Sequence, residues 1–485
     1  MIKRSLAVVV KYAKFIGPGA MVSVAYMDPG NYATDITAGA SYKFQLLFVV
    51  LISNIIAIFL QSLSIKLGSV TGLNLAQMIK AHTHPYLNVF LYIVAEIAII
   101  ATDMAEVIGT AIALNMLFKI PLVAGCIISI ADVLFILLFY SPGNSVKAVR
   151  IFELFVFGLV LAVVVCFCYQ LSLLQNTRVA AVLRGYIPNS AILQKQGIYQ
   201  SCGILGATVM PHSLYLGSGT IQPRLLEYDQ KHVPSGPYLP SLRAIRHCMR
   251  MSVLELTVSL STFALFVNSA ILIVAGASLY SPPGTPAADD ATNASLFAIH
   301  DLLSKRISPA AGTLFGTALL LSGISAGIVC TIAGQIICEG QINWRLKPWQ
   351  QRILTRSIAI TPSVIIAGSI GQAGVSTALE ASQVVLCFCL PVVTAPLIWF
   401  TAKAKYQKNM RLSEFSTVPS GLQALSGETL ARNDQVLNST IAAGGITTVQ
   451  FHNHWSVTAI SLLIWLIILA MNLAAVVMLA LGVGN

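Results

Sequence analysis

Eleven stretches of this 485-residue chain are each long and apolar enough to cross a lipid bilayer as an α-helix, which takes about 20 mostly apolar residues. Hydrophobic residues make up 56% of the chain and charged residues 10%, against about 25% charged residues in a soluble globular protein. The runs lack the alternating polarity of a transmembrane β-barrel. We therefore expect an all-α integral membrane protein with lipid as its solvent. The predicted spans cover residues 17–40, 44–66, 86–117, 121–140, 149–173, 197–219, 251–279, 308–338, 355–371, 378–401 and 456–482.

The positions of the basic residues predict the direction in which the helices cross. With a cytoplasmic N-terminus, 22 of the 29 Lys and Arg residues lie in cytoplasmic segments and 7 on the other side, in agreement with the positive-inside rule. The net charge of +11 is therefore spread over short loops, and no nucleic-acid partner is expected. The same orientation would expose Asn293, in Asn293-Ala294-Ser295, to glycosylation.

The spans divide the chain into a core and an appended helix. We predict a ten-helix transporter core over residues 1–401, with one five-helix half at 1–173 and a second at 197–401. Residues 402–455 are rich in Ser, Thr, Gly, Asn and Gln, which predicts a flexible cytoplasmic loop. Residues 456–485 would then hold an eleventh transmembrane helix.

The first run is interrupted at its centre by Asp28-Pro29-Gly30-Asn31. Pro29 removes a backbone donor and Gly30 relaxes the chain, so the helix is expected to unwind here. Carbonyls freed at this depth are tolerated only against protein or a polar cavity. A carboxylate there is costly and usually functional. The alternative interpretation is a structural kink in which Asp28 pairs with a neighbour.

The sixth run is interrupted in the same way, at Ala207-Thr208-Val209-Met210-Pro211-His212. Runs one and six are equivalent members of the two halves. Paired interrupted helices at equivalent positions point to the substrate site of an inverted-repeat transporter. We therefore expect the two breaks to face each other across one binding site.

The donor atoms at the two breaks predict what is bound. Asp28 offers a carboxylate, Asn31 an amide oxygen, and the unwound turns offer the carbonyls of Ala25 and Ala207. Met210 adds a thioether. Ca²⁺ and Mg²⁺ prefer oxygen throughout, whereas a thioether favours softer transition metals. The set therefore predicts Mn²⁺ or Fe²⁺, with Co²⁺, Zn²⁺ or Cd²⁺ as alternatives, unless Met210 only packs in the core.

The third run carries two acids, Asp103 and Glu106. A spacing of three residues puts both carboxylates on one helix face, and two acids inside one span are typical of a proton relay. His212, or Arg352 at the start of the ninth run, would be the partner. The alternative is a structural ion-pair network.

At these residues the chain resembles the Nramp family of proton-coupled divalent metal transporters, and particularly its yeast and other fungal members. Asp28-Pro29-Gly30-Asn31 and Met210-Pro211-His212 match the two signature motifs of the family, and Thr102–Val107 matches its acidic motif in the third helix. The resemblance covers residues 10–400 approximately. It implies a LeuT-like fold with two inverted five-helix repeats plus an eleventh helix. It also implies proton-driven import of Fe²⁺ or Mn²⁺ into the cytoplasm, without a bound cofactor.

The resemblance also assigns roles to individual residues. The five donors at the breaks become the metal ligands, and Gln383, in Ser382-Gln383-Val384-Val385, matches the tenth helix of the family. The implied proton route uses Asp28, His212, Asp103, Glu106 and, as a weaker candidate, Arg352.

Two positions depart from the family pattern. Many members carry a second histidine five residues after the first, where this chain has Gly217. Many carry Gln before the Leu-Pro of the tenth helix, where this chain has Cys389. Because that Gln can approach the metal in some states of family members, the resemblance implies that a metal ligand is either lost at Cys389 or replaced by its sulfur. The two departures mean that the coupling ratio and fine metal selectivity do not follow from the resemblance.

The main alternative function is carriage of another substrate on the same fold, such as a sodium-coupled amino acid or another cation. Asp28 would repel the carboxylate of an amino acid, and Met210 disfavours a hard ion. A membrane enzyme is not expected, because the chain has no HExxH motif or phosphate-binding loop. The likeness to fungal members favours a vacuolar or endosomal membrane over the plasma membrane, and the sequence does not determine an oligomeric partner.

Overall fold

The computed structural model describes residues 22–130, 146–174, 177–230, 240–280, 295–342, 348–412 and 446–480, so Asn293 lies outside the described part. Apart from one pair of strands, the regular structure in these residues is helical. The α-helices are α1 (Pro29–Tyr42), α2 (Leu47–Thr71), α3 (Leu75–His82), α4 (Pro85–Phe118), α5 (Leu122–Ile128), α6 (Val146–Ser172), α7 (Val179–Gly185), α8 (Lys195–Thr208), α9 (Pro211–Thr220), α10 (Gln222–Gln230), α11 (Leu242–Ser259), α12 (Leu265–Ser278), α13 (Leu296–Leu302), α14 (Pro309–Gln341), α15 (Pro348–Ser369), α16 (Gln372–Ala402) and α17 (Trp455–Ala480).

The chain crosses the membrane many times. Among the residues that the structure describes, seven helices are long and apolar enough to span a bilayer, and Ile353–Ser369 is a shorter apolar helix. The first and sixth predicted spans are each divided into shorter pieces. The fourth begins as α5 and continues into residues outside the described part. Over its described residues, each predicted span therefore coincides with one or more helices.

Both predicted breaks are present. The first helix runs through a 3₁₀ turn at Ala25–Met27, becomes extended at Asp28 (φ −80°, ψ 168°), and restarts at Pro29. The second break has Met210 extended (φ −68°, ψ 124°) between α8 and α9, and α9 restarts with a proline. Proline at the first helical position is favourable because its missing N–H has no partner there in any helix. The sequence prediction of two unwound helices is confirmed.

Close approach of small residues fixes where α1 lies. A Cβ added at Gly39 would lie 2.6 Å from the carbonyl oxygen of Leu272 and 2.8 Å from the amide nitrogen of Gly276, both in α12. A Cβ added at Gly276 would lie 2.7 Å from the carbonyl oxygen of Lys43. Membrane helices commonly use small residues in this way. Residues further along α1 contact residues further along α12, so the two helices run in the same direction.

A short segment between α6 and α8 covers one end of the bundle. It contains α7 and a 3₁₀ turn at Ser190–Leu193. Tyr186 and Ala191 of this segment pack in one apolar cluster with Leu47 and Leu272. We call this the Tyr186 end of the bundle.

Part of the predicted flexible loop, residues 402–455, is regular. β1 (Lys408–Leu412) and β2 (Ile446–Gln450) form an antiparallel pair. Lys66 Nζ donates to Asn453 Oδ1 (2.6 Å), and the Asn453 amide donates to the Thr401 carbonyl (3.1 Å). The C-terminal end of the loop is therefore attached to α2 and α16, while residues 413–445 lie outside the described part.

Candidate metal centre

The two broken helices contact each other through Asn31. Its Nδ2 donates to Asp28 Oδ1 (2.9 Å) and to the Ala207 carbonyl (3.2 Å). Its backbone amide donates to the same Asp28 oxygen (2.8 Å), which caps the start of α1. All three residues are buried. The structure thus brings together three of the five predicted ligand residues, two from the first break and one from the second.

The other oxygen of Asp28 is different. Asp28 Oδ2 is buried and has no hydrogen-bond partner among the described residues. An ionised carboxylate in such a place is costly unless a cation or a proton compensates it. The Asp28 side chain is therefore suited to bind a cation at the meeting point of the two breaks.

Met210 and Ala25, the other two predicted ligand residues, are also buried beside the breaks. The Met210 carbonyl accepts hydrogen bonds from Ser213 Oγ (2.7 Å) and the Ser213 amide (3.2 Å), so the thioether is the group that Met210 has left to offer. Their roles as ligands remain predictions.

The first break is held open by side chains from other helices. Asn268 Nδ2 of α12 donates to the Tyr26 carbonyl (3.0 Å), and the Ser322 hydroxyl of α14 donates to the Met27 carbonyl. These partners satisfy carbonyls that the unwound turn leaves without helical bonds. The sequence predicts freed carbonyls at this break but contains no signal that identifies Asn268 or Ser322 as their partners.

Gln383 of α16 lies directly against the first break. A Cβ added at Gly30 would overlap the amide group of Gln383, so glycine is needed here for the close approach. Gln383 Nε2 donates to Ser382 Oγ (2.9 Å). Gln383 Oε1 is buried without a hydrogen-bond partner in the described part of the chain. It is a further oxygen donor beside the predicted ligands.

The two departures from the family pattern have different surroundings. Cys389 packs in a small apolar cluster with Ala98, Ala101 and Leu386, which places it against α4. Gly217 lies against Gln61 of α2, and a Cβ at this position would overlap Gln61 Oε1. The position where a second histidine was expected is therefore occupied by a neighbouring side chain.

Gln61 also connects the two breaks on one side. Its Nε2 donates to the Tyr26 hydroxyl (2.9 Å) and to Ser213 Oγ (2.8 Å), and those two hydroxyls are 3.1 Å apart. This buried cluster joins the first break, α2 and α9.

A polar path leads from the second break to the acids of the third span. His212 Nδ1 and Thr102 Oγ1 form a hydrogen bond (3.3 Å). The next residue in α4, Asp103, accepts from Arg356 Nη1 (2.8 Å), and the same nitrogen donates to Glu106 Oε2 (3.2 Å). Asp103, Glu106 and Arg356 are all buried. The predicted pair of carboxylates therefore shares one cation.

That cation is one helical turn from the predicted one. The sequence pointed to Arg352, whose side chain lies outside the described part, so its role stays a prediction. The structure places Arg356 of α15 on both acids. An arginine inside an apolar run is costly, and this signal would have identified Arg356.

A multi-pass bundle with two equivalent helices broken around a buried carboxylate is the architecture of a secondary transporter. The structure of MhsT in complex with L-phenylalanine has a TM-score of 0.52 to this chain at 14% identity, over 94% of the chain and 98% of MhsT, which establishes the LeuT-like fold. The chain belongs to the Nramp family: residues 19–426 match the family model described as natural resistance-associated macrophage protein-like. The predicted fold class and family are confirmed.

Named relatives and a solved structure agree with this assignment. The manganese transporter SMF1 of Saccharomyces cerevisiae is 47% identical over 98% of this chain and 87% of its own length. The iron transporter SMF3 of the same yeast is 48% identical over 97% of both chains. The crystal structure of the Eremococcus coleocola manganese transporter has a TM-score of 0.74 at 32% identity, over 95% of this chain and 85% of that one. The family consists of transporters rather than enzymes.

Proposed function

We propose that this protein carries divalent transition-metal ions, Mn²⁺ or Fe²⁺, across its membrane toward the cytoplasm, together with protons. The observation that carries the proposal is Asp28 Oδ2, buried between the two breaks without a hydrogen-bond partner among the described residues. The names of the relatives support the cargo, since they include a manganese and an iron transporter.

The Asn31 amide marks where the ion binds. Its NH₂ group lies between two oxygens, Asp28 Oδ1 and the Ala207 carbonyl, and acts as their positive partner. A metal ion can take the place of this NH₂ group if the Asn31 amide rotates and presents its oxygen to the ion. The rotation is possible because the two ends of an amide are similar in shape. Asp28, Asn31 and the carbonyls of Ala25 and Ala207 then provide oxygen, and Met210 provides the softer donor.

Protons compete with the metal for Asp28. A carboxylate must be ionised to bind a metal ion, so the proton on Asp28 leaves when the ion arrives. His212 and Thr102 lead from the second break toward Asp103 and Glu106. Arg356 holds those two acids in place and stabilises their negative charge. The proton leaves Asp28 through His212 and Thr102, and the metal ion leaves by a different route. Separate routes allow the metal ion and the proton to move across the membrane in the same direction.

The orientation and the membrane complete the proposal. The excess of basic residues in alternate loops favours a cytoplasmic N-terminus, and eleven spans then put the C-terminus on the opposite side. The fungal likeness favours a vacuolar or endosomal membrane, from which metal would be released into the cytoplasm. Fluorescence microscopy of the tagged full-length protein tests the membrane assignment.

Uptake into vesicles tests the transport proposal. The purified protein in liposomes is expected to take up Mn²⁺ and Fe²⁺ faster when the outside is more acidic, and the interior should acidify during uptake. Protein-free liposomes and a protonophore are the controls. A metal flux that does not depend on the pH gradient would identify a uniporter. Sodium-dependent uptake of an amino acid, without metal uptake, would favour the alternative substrate.

Substitution of Met210 tests the choice of metal. Met210→Ala is expected to keep part of the Mn²⁺ uptake but to lower the preference for Mn²⁺ over Ca²⁺ by about tenfold, or about 1.4 kcal/mol, because the softer donor is gone. Competition between the two ions in the uptake assay measures this ratio. Met210→Leu, which keeps the volume, should change it equally. Met116→Ala, at another buried methionine in α4, should leave it unchanged. An unaltered ratio in both Met210 variants would remove the thioether from the site.

A further inference from the structure

A second buried carboxylate lies on the broken first helix. Asp35 is 1% exposed, and its Oδ2 has no hydrogen-bond partner among the described residues. None of the steps proposed above uses it. An ionised carboxylate in such surroundings is costly, and the group reduces that cost by binding a proton.

Helix geometry relates Asp35 to the metal site. It follows Asp28 by seven residues, which corresponds to about 10 Å along the helix axis and nearly the same helix face. Gly39, one turn further, contacts Leu272 and Gly276 of α12. Asp35 therefore lies on the line that leads from Asp28 along the α1–α12 interface.

The surroundings on α12 are polar but uncharged. Because α1 and α12 run in the same direction, the contacts of Gly39 with Leu272 and Gly276 put Asp35 close to the level of Ser269. The neighbouring Asn268 reaches the Tyr26 carbonyl at the first break. Both residues are buried, and Asn268 Oδ1 has no hydrogen-bond partner in the described part. Polar atoms of this kind can bind water and conduct a proton.

Tyr186 links Asp35 to the end of the bundle. Burial raises the pKa of Tyr186, and the nearby Asp35 carboxylate adds to that rise. Tyr186 is half-buried in the segment that covers this end. Asp35 therefore lies between the aqueous surface at the Tyr186 end and the metal site.

We propose that Asp35 is the proton-binding group through which protons enter from the Tyr186 end, before they reach Asp28. This inference rests on the proposed proton coupling and on a cytoplasmic N-terminus, which together place the Tyr186 end on the proton-rich side. A proton from that compartment binds the Asp35 carboxylate and forms the neutral acid. It then passes through water to the Asp28 carboxylate, and Asp35, ionised again, is reloaded from the same compartment.

Other charged groups around α1 are placed differently. α12 contains no charged residue. Glu380 of α16 accepts a hydrogen bond from Thr37 Oγ1 (2.6 Å), and Thr37 lies on the opposite face of α1 because it follows Asp35 by two residues. In α4, Asp103 and Glu106 share Arg356, and Glu96 accepts a hydrogen bond from Cys338. The remaining titratable groups on the described elements that pack against the outer half of α1 are Lys195, Tyr199 and Cys202 of α8 and His300 and Asp301 of α13.

Asp35→Asn tests the proposal, because it keeps the size of the side chain but cannot take up a proton. In proteoliposomes, the stimulation of Mn²⁺ uptake by an inward proton gradient is expected to fall by about tenfold, while equilibrium Mn²⁺ binding changes by less than about twofold. Glu380→Gln, at the acid that has Thr37 as its partner, is the matched control and should keep the stimulation. Wild-type stimulation in Asp35→Asn would overturn the proposal.

Infrared difference spectroscopy makes the test independent of transport. Between acidic and neutral pH, the protein should show a protonated carboxyl band that is absent in Asp35→Asn and present in Glu380→Gln. If Asp35→Asn does not fold, Asp35→Glu should keep both the stimulation and a shifted band, and loss of both in a folded Asp35→Glu protein would contradict the proposal.

If the wild-type protein shows no stimulation of uptake by the proton gradient, the proposed proton coupling is wrong. If the proton gradient stimulates uptake equally in the wild-type and Asp35→Asn proteins, only the proposed role of Asp35 is wrong.

Discussion

Asp28→Asn is expected to abolish metal transport and to weaken Mn²⁺ binding by at least about 100-fold, or about 2.7 kcal/mol. The substitution keeps the size of the side chain and an oxygen that can accept the bond from the Asn31 amide. It removes the negative charge on Asp28 Oδ2, the buried oxygen without a hydrogen-bond partner among the described residues. Calorimetric titration of the purified protein with Mn²⁺ measures the binding, and vesicle uptake measures transport.

The same variant should fold at least as well as the wild type. An uncompensated buried carboxylate destabilises the folded protein, so its neutral analogue should have an equal or higher thermal unfolding temperature in detergent. Stable protein without metal binding would separate the loss of function from misfolding. Asp35→Asn, on the same helix, is the comparison that should keep Mn²⁺ binding. Normal uptake by Asp28→Asn would mean that the ion binds elsewhere.

Much of this site follows from local sequence. Pro29 and Pro211 each begin a helix after an extended residue, as their missing N–H groups require. Asp28 and Asn31 are three residues apart, so the capping bond between them is also local. Even the pairing of the two breaks followed from their equivalent places in the two halves.

The groups that hold the site in place could not be predicted in the same way. Asn268 and Ser322 bind carbonyls of the first break from α12 and α14, more than 200 residues away in sequence. Gln61 fills the space beside Gly217 from α2. Such contacts depend on how helices pack and rotate against each other, and a single sequence contains no local signal for them.

The strands of the loop at residues 402–455 were missed for another reason. The composition of residues 402–455 as a whole predicts a flexible segment. Ile446-Thr447-Thr448-Val449, within β2, consists of β-branched residues, which favour strands, but β1 (Lys408–Leu412) has no comparable pattern. A pair of strands forms only when both are present, so one favourable segment was not enough to predict it.

The choice between Arg352 and Arg356 shows the limit of helical periodicity. Four residues are about one turn, so both arginines lie on nearly the same face of α15. Sequence periodicity predicts which face of α15 turns a cation toward Asp103 and Glu106. It does not predict which of the two arginines lies at the same depth in the membrane as these acids. In the structure, Arg356 is at that depth and is 3% exposed.

Arg356→Met is therefore expected to lower the free energy of unfolding by about 3–5 kcal/mol, the usual cost of removing one member of a buried ion pair. Two carboxylates, Asp103 and Glu106, would remain buried beside each other without their cation. Thermal and denaturant unfolding in detergent measure the change. Arg352→Met, one turn earlier in α15, is the matched control and should cost less, and an equal or larger loss there would support Arg352 as the partner.

Neutralising the two acids separates stability from proton transport. Asp103→Asn combined with Glu106→Gln should restore most of the stability of Arg356→Met, because no uncompensated charge remains buried. The triple variant should still bind Mn²⁺ at Asp28, which lies at the two breaks and not on α4. It should not regain the stimulation of uptake by a proton gradient, because both proposed proton acceptors are gone. Restored stimulation would show that the ion-pair network is structural and that protons take another route through the bundle.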